Sequence, residues 1–389
     1  MEPHRGDTKC MDLRRPTVRF RCPLRVMGCV AVAAAIAAFV PARAQEGNVP
    51  AEVQFFRIGT GPTTGVYFPV GALIASVISN PPGSRPCARG GSCGVPNLIA
   101  VAQATQDSID RLGGIADHRI ESALVQSDVA YLAYAGKGPF ARAKVGNLRA
   151  IASLYPEYLH VVVRTDARIR SFADLKGKRV GLDGDGSGTR IMAQTVLPQL
   201  GLKSSEMTIH SFSVSSAADQ MRSRRLDAFA FASGLPVESI QRLAEDVPIA
   251  LLPVAPAVAQ RLAKSHPGLA PGDIPGDVYA GVPETPTIAT NALWVVAAET
   301  DPDFVYALAR ALWNPNNRRL LDSGHPAGRS MHPEAALDGL TIPLHPGAER
   351  YYREAGYTIP AAARTPGGKA TPPIPPLPPD RGPMTNGTR

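Results

Sequence analysis

Twice in this chain a short apolar run enters a loop of glycines and hydroxyls and leaves it as a helical pattern. The first passage is "VQFFRIGTGPTTGVYFPVGALIASVIS", residues 53–79; the second is "KRVGLDGDGSGTRIMAQTVLPQLGL", residues 178–202. In the first, Val66, Val70, Leu73, Ile74, Val77 and Ile78 share one helical stripe before Pro81-Pro82 ends it. "NLIAVAQA" then reads as a strand, 107–119 as a helix weakened by its glycines, "ESALVQ" as a strand and "SDVAYLAYAG" as a helix closing at Gly136. "NLRAIASLY" and "LHVVVRTD" read as two buried strands.

At Ser171 the pattern restarts. A short helix capped by Ser171 precedes a strand through Leu182, the glycine-rich loop, and a helix carrying Met192, Val196 and Leu200, with Pro198 disturbing its last turn. "AADQMRSRRLDAFAFASG" is a helix and a strand, "NALWVVAAE" a return strand, and Asp301-Pro302 opens a helix with Phe304, Val305, Leu308 and Leu312 on one face. Strands separated by helices favour crossover connections, so the expected fold class is α/β, with two lobes built on parallel sheets. Ligands in such folds sit where strand ends meet helix starts, which makes the cleft between the lobes the default site.

The ends of the chain account for its formal charge of +8. Residues 1–44 carry eight Lys and Arg against three acids, and residues 360–389 carry four against one, leaving 29 of each sign in 45–359. A neutral body with 6% aromatic residues has no electrostatic footprint for nucleic acid. The N-terminal charge belongs to a secretory-signal pattern: a basic segment ending at Arg25, fifteen mostly apolar residues from Val26 to Val40, and an Ala42-Arg43-Ala44 cleavage site. A membrane anchor is the alternative, but fifteen residues fall short of the roughly 20 needed to span a bilayer. Export to the periplasm follows. The mature chain keeps Cys87 and Cys93, which can close a small disulfide loop in an oxidising compartment. A two-Cys metal clip would need a His or second Cys pair at zinc spacing, and none is there. From Gly367 onward the sequence is proline-rich and nearly devoid of large apolar residues, as in an extended or disordered tail; a docking ligand for a recognition domain is the other reading.

No catalytic signature stands out: there is no G-x-S-x-G, no H-E-x-x-H and no Walker loop. His118, His160 and His210 are scattered, and packing explains each better than catalysis. No catalytic residue, metal ligand or cofactor is therefore expected. "DGDGSG" begins like an EF-hand calcium loop, but Ile191 falls at the ninth place and Gln194 at the twelfth, where a bidentate Glu is required. The two glycine loops, 59–71 and 183–190, remain. Helix N-terminal N–H groups lack intrahelical partners and favour an anion, so either loop could seat a carboxylate or phosphate; an ordinary capped turn is the alternative for each alone.

Six segments, in order, carry a family resemblance: "IGTGPTTGVYFPVG", "LVQSDVAYLAYAGKGPF", "NLRAIASLYPEYLHVVV", "DLKGKRVGLDGDGSGT", "LDAFAFASGLP" and "ALDGLTIPLHPGAERYYREAGY". Together they resemble the TAXI class of solute-binding proteins, the extracytoplasmic receptors of one branch of tripartite ATP-independent periplasmic (TRAP) transporters. The resemblance implies a type II periplasmic binding-protein fold, with two α/β lobes joined by hinge strands. It implies a monomeric receptor that captures a small organic anion or amino acid and delivers it to a permease driven by an ion gradient. Family ligands include glutamate, glutamine and small dicarboxylates. By motif match the cleft residues would be Thr60, Gly61, Gly65 and Tyr67, then Gln126, Ser127 and Tyr155, then Ser187, Gly188, Thr189 and Gly234. Ser187 and Thr189 could donate to a carboxylate at their helix start. Asp107 stands where the family usually has a Thr-Gly-Gly-Ser-like turn; it either repels a second carboxylate or caps a helix. The expected organisation is a signal peptide over 1–44, lobe 1 over 45–160 and 291–359 with the hinge return, lobe 2 over 161–290, and a Pro-rich disordered tail over 360–389. The alternative output of the same fold is an exported sensor presenting its bound state to a signalling partner.

Overall fold

The computed structural model describes residues 52–364. The expected signal peptide, and the tail beyond Arg364, lie outside the described residues. Strand β1 (Gln54–Thr60) buries Phe56 and Ile58 beneath helix α1 (Tyr67–Ile78), which buries the apolar stripe expected of it. Strand β2 (Leu98–Ala104) and β3 (Ser122–Gln126) flank β1 in parallel, connected through α2 (Ser108–Ala116). Helix α3 (Ser127–Ala135) ends at Gly136, whose left-handed φ of 67° suits a residue without a Cβ.

The chain next forms β4 (Leu148–Arg164), one continuous strand of 17 residues where the sequence suggested two. Pro156 is the reason for the difference, because proline in a strand reads as a break. It is tolerated here: β10 (Thr285–Ala297) pairs β4 on one side from Leu148 to Tyr158, past the proline, whereas the neighbour on the other side begins only at Tyr158. That neighbour is β7 (Ala228–Ser233), and it continues to β5 (Arg179–Leu182) and β6 (Thr208–Ser211), in parallel. The sheet therefore runs β2-β1-β3-β10-β4-β7-β5-β6, with β8 (Ile249–Leu251) on β4 and β9 (Ala270–Ile274) on β10. Expected as two parallel sheets, it is one mixed sheet: the two parallel trios are stitched together by antiparallel β4 and β10, which belong to both lobes.

Each lobe has its own core. In lobe 1, Phe56 packs edge-on against Trp294 of β10, at 6.4 Å, and Phe304 of α8 (Pro302–Leu312), at 5.5 Å. In lobe 2, α4 (Gly188–Gln199) and α7 (Pro256–Ser265) bury Met192, Val196 and Leu262 on one face of the sheet. Helices α5 (Val214–Arg222) and α6 (Glu238–Asp246) bury Met221, Ile240 and Leu243 on the other. Covering both faces is why "AFAFAS" in β7 is buried at every position. This is the type II arrangement of two α/β lobes joined by hinge strands, with a cleft between them. Cys87 and Cys93 are disulfide-bonded, with Cα atoms 4.7 Å apart, in a loop away from the cleft. Pro360–Arg364 close the described chain with a single 3-10 turn on buried Ala363.

Candidate functional site

A cavity of about 70 Å³ lies between the lobes, lined from both and from the hinge. That is several times the roughly 10–15 Å³ one water needs, so it can hold a handful of waters or a small solute.

Lobe 1 contributes the first glycine loop. After β1 the backbone turns through Gly61–Val66, where Gly65 N–H donates to the Pro62 carbonyl at 3.0 Å, and α1 begins with no side-chain cap. Beside this helix start stands Arg111 of α2, only 3% exposed. Its Nη2 donates to Ser108 Oγ at 2.9 Å and its guanidinium lies 5.1 Å over the Tyr67 ring, while Nε and Nη1 have no partner. No carboxylate among the described residues lies within ion-pair distance of it. Burial lowers its pKa, but an arginine remains charged. At the end of β3, Gln126 is equally buried; its side chain reaches the Glu157 carboxyl, and its amide oxygen lacks a partner.

The hinge contributes Glu157 of β4, 2% exposed and accepting from Tyr67 Oη at 2.9 Å. Burial, only partly offset by that bond, pushes its carboxyl up to about 8. Desolvation also holds the Tyr67 phenol protonated.

Lobe 2 contributes the second glycine loop. Ser187 Oγ caps α4 by accepting from Arg190 N–H at 3.1 Å, and Thr189 Oγ1 accepts from Ala232 N–H at 3.1 Å. Asp183 accepts from Gly184 N–H at 2.9 Å and lines the cavity; burial raises its pKa. Asp185, 92% exposed, pairs with Arg190 at 3.3 Å. The lobes touch along this loop. The Gly186 carbonyl accepts from Ser108 N–H at 3.1 Å and Ile109 N–H at 3.4 Å, the first turn of α2. Asp107 caps that turn through Asp110 N–H, at 2.9 Å, and its carboxylate packs on Gly186.

Of the residues expected in the cleft, Gly61, Gly65, Tyr67, Gln126, Ser187, Gly188 and Thr189 line this one cavity. Four others do not line it. Thr60 is fully buried, its hydroxyl turned onto the Gln103 carbonyl at 3.1 Å. Ser127 is buried and bonds Thr341 Oγ1 at 3.0 Å and the Gly339 carbonyl. Tyr155 lies behind Glu157 with its hydroxyl unpartnered, and Gly234 packs flat on the Tyr155 ring, where a Cβ would stand 2.8 Å from Cε2. Arg111 and Glu157 went unread in the sequence. The available signal was a charge on a buried stripe: Arg111 shares the face of Ser108, Leu112 and Ile115, and Glu157 lies among the buried residues of β4.

The three histidines pack or lie outside the site. His160 is buried, with Nδ1 at the Tyr158 and Phe231 carbonyls and Nε2 2.8 Å from Tyr279 Oη; desolvation pushes its pKa down to about 4. His210 stacks on Phe212 at 5.6 Å, and His118 is exposed. Among the described residues no group of three His, Cys, Asp or Glu could hold a metal ion, and no helix is long and apolar enough to cross a membrane.

A family model described as the NMT1-like family matches residues 58–356. Among solved structures the chain is similar to PhnD1 of Prochlorococcus marinus in complex with methylphosphonate, at 13% identity and TM-score 0.45, covering 77% of this chain and 98% of that one. It is similar to the periplasmic aliphatic sulphonate binding protein SsuA of Escherichia coli, at 15% identity and TM-score 0.41, over 71% and 79% of the two chains. A TctC solute binding protein from Polaromonas matches at 16% identity and TM-score 0.42, over 73% and 90%.

Proposed function

The chain belongs to the NMT1-like family, and from that premise we propose that it is a periplasmic receptor that captures a small organic anion or amino acid by closure of its two lobes. The observation that carries this reading is the set of buried polar atoms with nothing to bind, Arg111 Nε and Nη1 and the Gln126 amide oxygen, at a cavity between contacting lobes. A buried donor or acceptor left unpaired costs about 1–3 kcal/mol, so several gathered on one small cavity are a stability defect unless a solute or water satisfies them. Micromolar capture needs about 8 kcal/mol, which a charge-assisted bond to Arg111 and a few neutral bonds in a closed cleft can supply.

The resemblance of the six sequence motifs to the TAXI class supports delivery of the solute to a TRAP permease. In this reading residues 45–160 and 291–359 form one lobe, 161–290 the other, and 1–44 direct export. The chain binds and hands over; it does no chemistry on its ligand. Native mass spectrometry of the purified protein tests the receptor reading, the expected result being a copurifying small carboxylate or amino acid. A thermal-shift panel of carboxylates and amino acids gives the complementary test, and no shift with any member would overturn the ligand class. Transport of that solute by a TRAP permease reconstituted with the receptor, lost when the receptor is omitted, tests the TRAP assignment.

A further inference from the structure

Resting on the reading of this cavity as the ligand site, we propose that Glu157 is a proton-binding site within it, and that the receptor holds an anionic solute only together with a proton on this carboxyl.

Glu157 sits on hinge strand β4, 2% exposed, and lines the cavity that the two lobes enclose. Among the described residues no cation lies within ion-pair distance of it. Arg111 of α2, the basic residue of the cavity, is turned onto Ser108 Oγ and the Tyr67 ring. From α1 the Tyr67 hydroxyl donates to Glu157 Oε2 at 2.9 Å, and from the end of β3 the Gln126 side chain reaches the carboxyl. The Tyr155 phenol faces it from β4 itself, and Asp128 from α3. Strand β10 places Thr290 opposite, but that hydroxyl donates to Asp128, at 3.2 Å. Asp107 and Asp183 line the same cavity, so the acids near Glu157 outnumber the one guanidinium. Burial without a paired cation disfavours the charged form and pushes the carboxyl up to about 8, which makes Glu157 a neutral acid at pH 7. The geometry suits that acid. A carboxylic O–H needs an acceptor, and the buried Gln126 amide oxygen is an acceptor with no donor; the amide can serve the carboxylate through its nitrogen or the acid through its oxygen. An entering anion therefore meets a neutral group below pH 8 and a like charge above it. Once bound, the anion displaces water and adds negative charge, both of which hold the proton more tightly. The bound-state pKa is thus the higher one, so affinity is level below about pH 8 and falls by up to about tenfold per pH unit above it, as a proton must be taken up with the solute.

Isothermal titration of the purified protein with succinate and 2-oxoglutarate, which have no group titrating at mildly alkaline pH, tests this directly. Run at each pH in two buffers of different ionisation enthalpy, it counts protons. About half a proton or more should be taken up per solute at pH 8.5 and almost none at pH 6.5. Glu157→Gln, which keeps an acceptor for Tyr67, should abolish the uptake and level the affinity across that range, with its unfolding temperature confirming that it folds. No uptake by the unaltered protein at pH 8.5, or an affinity as high there as at pH 6.5, would overturn the proton site and leave the receptor reading standing. So would an uptake that survives in Glu157→Gln and disappears in Asp128→Asn or Asp183→Asn, because the proton then belongs to another carboxyl. Failure of both probes and of a wider carboxylate and amino-acid panel to bind at pH 6.5 would overturn the ligand class and this inference together.

Discussion

Replacing Gly188 by alanine should separate closure of the cleft from folding of the lobes. A Cβ built at Gly188 meets Gln126 Oε1 at 1.8 Å and Cδ at 2.7 Å, and its three nearest atoms are all from Gln126, across the cleft on lobe 1. Gln126 is 3% exposed and cannot swing into solvent, so the lobes must part or the glutamine must take a poor rotamer. Overpacking of this kind costs about 1–3 kcal/mol, which raises the dissociation constant about 5- to 150-fold if the bound form is the closed one. Inside lobe 2 the change is harmless, because alanine is the better helix former by up to about 1 kcal/mol. Titration with the best binder of an amino-acid and carboxylate panel, beside unfolding of the ligand-free variant, reads both effects. The expected pattern is weakened binding with an unfolding temperature unchanged or slightly raised. Gln126→Ser should couple to it non-additively, since the shorter side chain vacates the contested space. A fall of several degrees in the ligand-free unfolding temperature, with ligand affinity preserved, would refute the argument and make Gly188 a packing glycine of lobe 2.

The buried carboxyl of Glu157 makes stability depend on pH. Its folded pKa, about 8, exceeds the ordinary 4.5, so between these values the native state holds a proton that the unfolded chain has released, and stability falls as pH rises through that window. Asp128, raised to about 7 by burial, acts in the same direction, whereas His160, at about 4, acts oppositely between about 4 and 6.5. Glu157→Gln should flatten the decline in unfolding temperature from pH 6.5 to 8; an unaltered slope would place the proton elsewhere. Tyr279→Phe should cost about 1–3 kcal/mol in a denaturant titration, because it strips a partner from both His160 Nε2 and Val237 N–H. Ligand affinity should stay within twofold, since Tyr279 does not line the cavity. Reducing Cys87–Cys93 removes a short-loop constraint worth about 2 kcal/mol and should lower the unfolding temperature by a few degrees without affecting binding.

The lobes are legible in the sequence because their elements follow from local rules. The stripe of α1, the Gly136 stop, the Asp301 cap of α8 and the twin glycine loops all depend on neighbours within a few residues. The hinge was only half legible: Pro156 looks like a strand break until β10 is seen running beside it, and that pairing joins residues more than a hundred positions apart. The site divides the same way. Its glycine loops are sequence-local, but what those glycines are for is decided across the cleft, where Gly186 makes room for Asp107 and Gly188 for Gln126. "DGDGSGTR" suggested hydroxyls poised to donate to a ligand at a helix start. In the folded molecule both oxygens accept protein N–H bonds, Ser187 from its own helix and Thr189 from Ala232, which leaves each O–H able to donate, and the loop adds a lack of side chains where lobe 1 must approach. The basic residue that lines the cavity is Arg111, on the opposite lobe, within a helix that the sequence reads as weakened by its glycines. A buried arginine costs stability wherever nothing pairs it, and Arg111 keeps two nitrogens unpaired beside the cavity; on the proposed function the anion-binding end of the site is in lobe 1 and lobe 2 closes over it.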